Sequence, residues 1–211
     1  MVTVVVLSGG PDAPGVVEIP AGATVIAADG GAELARMLGV TVDLLVGDLD
    51  SVSAETLAEI GRVERYPVEK DATDLELALH AALRFEPERV LVVGGAGGRL
   101  DQLFSGLVLL AAEAYAGVQL DGQFGAAAVH VVRGERTFDG EPGELVSLFA
   151  VHGPAIGVVT DGLMYPLCGE RLEPGSSRGV SNLFVAPRAR IVVERGVLLA
   201  VRPSGSVRAG S

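Results

Sequence analysis

The sequence predicts an α/β protein: a three-layer domain built on a parallel sheet, followed by a smaller all-β sandwich. Three observations lead there. Up to about residue 115, β-branched apolar runs alternate four times with stretches of helical period. The runs are continuous rather than alternating, as in strands buried on both faces. Past Gly122 the helical period disappears, and short apolar runs remain between Gly, Pro, Asp and Ser.

Thr3 to Leu7 reads as the first buried strand, closed by Ser8-Gly9-Gly10, and Pro11, Pro14, Gly15, Pro20 and Gly22 mark a long turn-rich loop. Val25 to Ala28 is the second strand. Asp29-Gly30-Gly31 then leads into a helix carrying Leu34, Met37 and Leu38, stopped by Gly39. Val42 to Val46 is the third strand. Ser53 is placed to cap a helix reaching about Ile60, and Val63 to Val68 is short and extended. Thr73 and Glu76 have capping-box spacing ahead of a helix through Leu83, with Asp74 as its first residue. Arg89 to Val93 is a further strand. Gly94 to Gln102 is glycine-rich, and a long helix is expected from about Leu100 to Tyr115. In the second half, strands are expected at 127–132, 145–150, 156–160, 182–185, 189–193 and 197–201, and a frayed tail at 203–211. The domains are accordingly 1–122 and 123–211.

The 211 residues carry a formal net charge of −11, which argues against nucleic acid as the main partner. No run of about eighteen residues is free of charged or turn residues, so no membrane span is expected. No basic, apolar leader is visible at the N-terminus, which makes a cytoplasmic protein the expectation. Cys168 is the only cysteine; it reads as a small core or loop residue rather than a nucleophile. His80, His130 and His152 lack ligand spacing and read as structural or solvated.

The chemistry gathers in the loops after the strands. In an open parallel sheet these loops meet on one rim, where ligands bind. Gly47-Asp48-Leu49-Asp50-Ser51 follows the third strand. If the strand continues, Asp48 and Asp50 share a face and Leu49 points the other way. Paired carboxylates with no Cys or His beside them suit Mg²⁺ better than Zn²⁺. Arg99 follows four glycines in five residues, where a guanidinium can fork onto phosphate oxygens, and Lys70 supplies a second cation. There is no Walker-A motif and no complete dinucleotide fingerprint. Carboxylates, a glycine loop and basic residues together suit phosphoryl or diphosphoryl transfer.

Six segments in order resemble the thiamine pyrophosphokinase (thiamine diphosphokinase) family. They are Ala28 to Ala32, Gly47 to Ser51, Tyr66 to Glu76, Gly97 to Gln102, Gly162 to Leu167 and Gly175 to Asn182. The resemblance implies transfer of the β,γ-diphosphoryl group of ATP, as co-substrate, to the thiamine hydroxyl, with Mg²⁺, giving thiamine diphosphate and AMP. It implies a homodimer with active sites at the interface. It implies metal ligands at Asp48, Asp50 and Asp74. Asp29, Gly30, Lys70, Thr73, Gly98, Arg99, Asp101 and Gln102 fall on the ATP side. Tyr165, Ser177, Ser181 and Asn182 fall on the thiamine side, with Tyr165 standing where some members stack a Trp. Catalysis would rest on Asp48, Asp50, Asp74 and Arg99, with Asp71 or a metal aspartate as base. A related pterin diphosphokinase, or a thiamine or nucleotide binding protein without turnover, are the alternatives. The Gly175 to Asn182 segment argues against the first, and the complete acid set against the second.

Overall fold

A computed structural model describes residues 1–205; the expected frayed tail lies, beyond Gly205, outside the described residues. The chain divides into two compact units, Met1–Gly106 with Gly117–Gly125, and Leu107–Ala116 with Ala126–Ser211.

In the first unit β1 (Thr3–Ser8), β2 (Thr24–Ala28), β3 (Leu44–Gly47), β4 (Val63–Arg65), β5 (Arg89–Gly94) and β6 (Gln119–Phe124) are separated by α1 (Gly31–Leu38), α2 (Ala54–Glu59), α3 (Asp74–Leu83) and α4 (Leu100–Leu110). The sheet order is β6-β5-β1-β2-β3-β4, and every pair is parallel. The chain therefore builds outward from β1 on one side and then crosses to β5 on the other. That reversal opens a crevice beyond the carboxyl ends of β1 and β5. All six residues of β5 are buried, including Arg89, whose guanidinium lies 3.1 Å from the fully buried Asp121 carboxylate of β6.

Local chemistry sets the helix ends. Ser53 and Thr73 are the N-caps of α2 and α3, and their hydroxyls accept from the amides of Thr56 and Glu76, each at 3.2 Å. Gly39 closes α1 in the left-handed conformation. The α1 stripe differs from the expected one: Ala32, Leu34 and Ala35 are buried, whereas Met37 is 75% exposed. The long helix expected through Tyr115 stops at Leu110, and Glu113–Tyr115 forms a separate 3₁₀ turn. Arg133 donates to the carbonyls of Ala111 (2.6 Å) and Ala112 (3.1 Å). These carbonyls are satisfied by a side chain instead of by a further helical turn.

The second unit is a sandwich of long, bent antiparallel strands. β7 (Ala127–Asp139), β8 (Leu145–Asp161) and β11 (Arg188–Arg202) are joined by the shorter β9 (Cys168–Leu172) and β10 (Asn182–Leu183). β11 lies between β7 and β8, while β9 and β10 pair with β8. The apolar runs expected at 145–150 and 156–160 form one strand, as do those at 189–193 and 197–201. The β8–β11 register breaks between Arg195 and Val197, so each strand bends without leaving the ladder. The core lies between the layers: Phe138, Leu148, Leu167, Leu172, Phe184, Ile191 and Leu198 are buried. Cys168 is neither core nor loop; it is exposed at the start of β9. His130 is fully buried against Phe138, while exposed His152 lies 2.9 Å through Nε2 from the Val108 carbonyl oxygen. Among the described residues no helix is long and apolar enough to cross a membrane.

Candidate active site

A cleft of about 580 Å³ opens on the first unit at the carboxyl ends of its strands. Its wall is made in turn by Gly9 and Gly10 after β1, Asp29 and Gly30 after β2, Ser51 after β3, Thr73 and Asp74 at the start of α3, and Gly97 to Arg99 after β5. Tight backbone contact builds that wall. A Cβ on Gly95 would lie 2.1 Å from the Pro11 carbonyl oxygen, so only glycine lets the loops after β1 and β5 meet. Gly47 has φ +151°, and a Cβ there would sit 3.0 Å from both the Asp29 Cβ and Asp74 Oδ1. Glycine at the end of β3 thus leaves room for two carboxylates to converge.

The acids divide into two overlapping groups. Carboxylate oxygens of Asp29, Asp48 and Asp50 lie within 4.8 Å of one another. Lys70 links Asp74 to Asp48. The Lys70 ammonium is 2.8 Å from Asp48 Oδ2 and 2.8 Å from Asp74 Oδ1. Asp29 belongs to the first group although its sequence signal pointed only to the nucleotide side. The signal available was its place in Asp29-Gly30-Gly31, directly after a buried strand.

Asp48 and Asp50 come together for a reason other than strand periodicity. β3 ends at Gly47, and Leu49 adopts φ +70°, so the motif is a turn. The Asp50 amide donates to Asp48 Oδ1 at 3.3 Å, and the Ser51 hydroxyl donates to Asp50 Oδ1 at 2.8 Å. The turn buries Leu49 against Ala27, Ala32 and Leu45, which keeps it out of the chemistry as expected.

Protonation follows these contacts. The hydrogen bond from Lys70 is the main reason the Asp48 carboxyl titrates below its usual range. Burial pushes Asp74 the other way and outweighs the attraction of Lys70. Burial is also the largest single influence on Lys70, but the hydrogen bonds and charges of Asp48 and Asp74 together overcome it and hold the ammonium more firmly protonated than usual. Such a cluster suits a hard cation: every donor is an oxygen, and Asp29 Oδ1 is buried with no hydrogen-bond partner among the described residues.

Arg99 stands at the entrance to α4, 71% exposed, and pairs with Asp101 at 2.5 Å. In water that pair is worth little, so the guanidinium is available to another anion. Gln102 lines the cleft beside it. Asp71 is exposed one residue beyond Lys70.

The second unit carries its own cavity of about 400 Å³, lined by Tyr165, Ser176, Ser177, Arg178, Gly179, Val180 and Asn182. Tyr165 is 55% exposed, so its ring is a wall rather than core. Asn182 is buried, and its amide is spent on backbone: Oδ1 accepts from the amides of Tyr165 (3.0 Å) and Leu183 (2.9 Å), and Nδ2 donates to the Tyr165 carbonyl (2.8 Å). Ser181 is exposed at φ +57°, its amide donating to the Ser147 hydroxyl at 3.0 Å. Arg178, not among the expected residues, forks onto Glu170 at 2.7 and 2.8 Å.

Comparison with known proteins is consistent across methods. The model of the thiamin pyrophosphokinase catalytic domain matches residues 19–120, and that of the thiamin pyrophosphokinase vitamin B1 binding domain matches residues 129–198. The thiamine pyrophosphokinase of Bacillus subtilis (strain 168) is 28% identical over 169 residues, 74% of this chain and 76% of that protein. The crystal structure of thiamine pyrophosphokinase from Bacillus subtilis superposes with a TM-score of 0.82 at 21% identity, covering 96% of this chain and 99% of that one. A thiamin pyrophosphokinase family protein from Enterococcus faecalis gives 0.80 at 23%, covering 99% and 100%. The thiamin pyrophosphokinase from Candida albicans gives 0.71 at 14%, covering 95% and 88%.

Proposed function

The chain belongs to the thiamine pyrophosphokinase family, whose reaction moves the diphosphoryl group of ATP to thiamine, and we propose that the strand-end cleft of its first unit carries that transfer with Mg²⁺. The observation that supports this reading best is the acid cluster itself. Carboxylate oxygens of Asp29, Asp48 and Asp50 lie close together, Asp74 stands across Lys70, and a buried oxygen of Asp29 has no donor among the described residues. Asp48, Asp50 and Asp74 are the proposed ligands, with Asp29 beside them. Mg²⁺ held there supplies charge neutralisation on the phosphate oxygens.

The chain's own groups do the rest. Gly98, Gly30 and Thr73 let backbone approach the phosphates, and the Arg99 guanidinium exchanges Asp101 for a phosphate oxygen, with Gln102 at its side. Lys70 balances further negative charge. The thiamine hydroxyl attacks the β-phosphorus in line, its proton passing to Asp71 or to a carboxylate of the cluster, and AMP leaves. On the thiamine side Tyr165 and Ser177 offer contacts from the cavity wall and Ser181 from its exposed loop, while Asn182 fixes the backbone of Tyr165. The functional division proposed is 1–122 for ATP and metal and 123–211 for thiamine. A homodimer with active sites at its interface, and a cytoplasmic location, belong to the same proposal.

The test is to incubate the protein with ATP, Mg²⁺ and thiamine and to resolve the nucleotides. Thiamine-dependent AMP is the expected product. ADP, or AMP formed equally without thiamine, overturns the reading. For the dimer, a chain inactivated at Asp48 mixed with one inactivated at Tyr165 should regain activity if each site draws on both copies.

A further inference from the structure

The Lys70 ammonium lies where a divalent cation would be drawn, and its surroundings leave little room for both. Its side chain is only 12% exposed, and those of Asp48 and Asp74 are 11% and 25% exposed. Both ion pairs are 2.8 Å long. An Mg²⁺ ligand sits about 2.0–2.1 Å from the metal. If Asp48 kept Lys70 on one oxygen while ligating a metal, two cations would share one small carboxylate in a partly buried site, where repulsion is poorly screened. Lysine suits a temporary occupant: it is a compact charge on a flexible four-carbon stem, with three donors that can turn to a new acceptor.

We propose that Lys70 is a placeholder cation, which holds Asp48 and Asp74 together in the ion-free protein and must be displaced before a divalent cation binds. The inference rests on the metal reading of the cluster given above. It has a consequence for the order of events. A cation arriving alone has to strip the ammonium of both carboxylates. A cation arriving with a nucleotide brings phosphate oxygens to which the ammonium can turn. Lys70 therefore couples the two ligands, and by linkage each raises the affinity for the other. Without the lysine, the bare carboxylates would take the cation by itself.

The experiment measures Mn²⁺ binding to the full-length chain by electron paramagnetic resonance, with no nucleotide present. Lys70→Met should bind Mn²⁺ about tenfold more tightly than the unaltered protein, the factor expected for one ion pair of about 1.4 kcal/mol. Lys70→Gln serves as a second variant should the methionine fail to fold. Unchanged or weaker binding in the folded variant overturns the placeholder role. Asp48→Asn, alone and in the Lys70→Met background, separates this outcome from failure of the metal reading. Loss of Mn²⁺ with Asp48→Asn alone, together with no gain from Lys70→Met, overturns the placeholder and leaves the metal site standing. If Asp48→Asn has no effect in either background, the metal site and the placeholder fall together.

Discussion

The cleft of the first unit and the Tyr165 cavity of the second are built on opposite principles. In the first unit four aspartates crowd the ends of parallel strands with one lysine between two of them, and a buried oxygen of Asp29 has no partner among the described residues. In the second unit several polar groups at the cavity have partners within the chain: Asn182 on backbone, Arg178 on Glu170, the Ser181 amide on Ser147. Like charges held together cost free energy unless a counter-charge joins them. The first cleft thus carries more negative charge than Lys70 alone offsets. The second is a wall in which Asn182 and Arg178 are already held by groups of the chain. On the proposed reading the first pattern serves chemistry on charged groups and the second serves recognition of an organic molecule.

Substitutions at the two sites should therefore fail differently. Asp48→Asn removes one charge from the acid cluster. Turnover is expected to drop by about 10²–10³-fold, the scale for losing one group that stabilises developing charge, while the melting temperature changes little. A steady-state assay beside a thermal melt checks both halves, and near-normal turnover would contradict the metal role. Asp121→Ala tests the scaffold beneath that cluster. It removes the carboxylate paired with buried Arg89, at a cost of about 3–5 kcal/mol read from urea unfolding.

Asn182→Ala probes the Tyr165 cavity. Two backbone groups of Tyr165 lose their partner, costing about 1–3 kcal/mol. The KM for thiamine should rise more than kcat falls; the reverse split would place Asn182 in the chemistry instead. Ser53→Ala lies outside both cavities. Removing this N-cap should cost about 1 kcal/mol and leave turnover untouched.

The smallest effect is a pH dependence at the same corner. The Ser53 amide donates to Glu33 at 2.9 Å, and this hydrogen bond is the leading cause that holds the Glu33 carboxyl below its usual value. A carboxyl lowered by folding contributes stability that is complete above its unfolded value, about 4.3, and lost as the pH falls through the folded one. Glu33→Gln should flatten that part of the acid limb in melts recorded from pH 6 to pH 3. An unchanged limb would show that the contact carries no net free energy.

Much of the first unit could be read directly. Strands buried on both faces leave continuous apolar runs, and Ser53, Thr73 and Gly39 mark helix ends by short-range hydrogen bonding or backbone conformation. The second unit was harder to read. His152-Gly153 and Gly196 interrupt the apolar runs, so β8 and β11 each looked like two strands. The ladder between them carries both through the bend, and no local signal reports a partner so far along the chain. β9 was missed for the same reason: Cys168 to Leu172 has one buried apolar residue and owes its extension to pairing with β8.

The sequence by itself determined the acids, the glycines and the basic residues, and that they follow strand ends, because composition and local period are properties of neighbours along the chain. It also set Leu49 opposite the two acids, but by a strand period that the structure replaces with a turn. Only the tertiary structure decided which carboxylates meet. The Leu49 turn at the end of β3 brings Asp48 and Asp50 together where strand period had been expected to do so. The crossing from β4 to β5 put the glycine loops face to face, Asp29 joined the cluster through the pairing of β2 with β3, and Lys70 reached both Asp48 and Asp74. Those distances depend on strand order, which residue spacing does not encode, and on close backbone approaches at Gly47 and Gly95 that only the packed structure reveals.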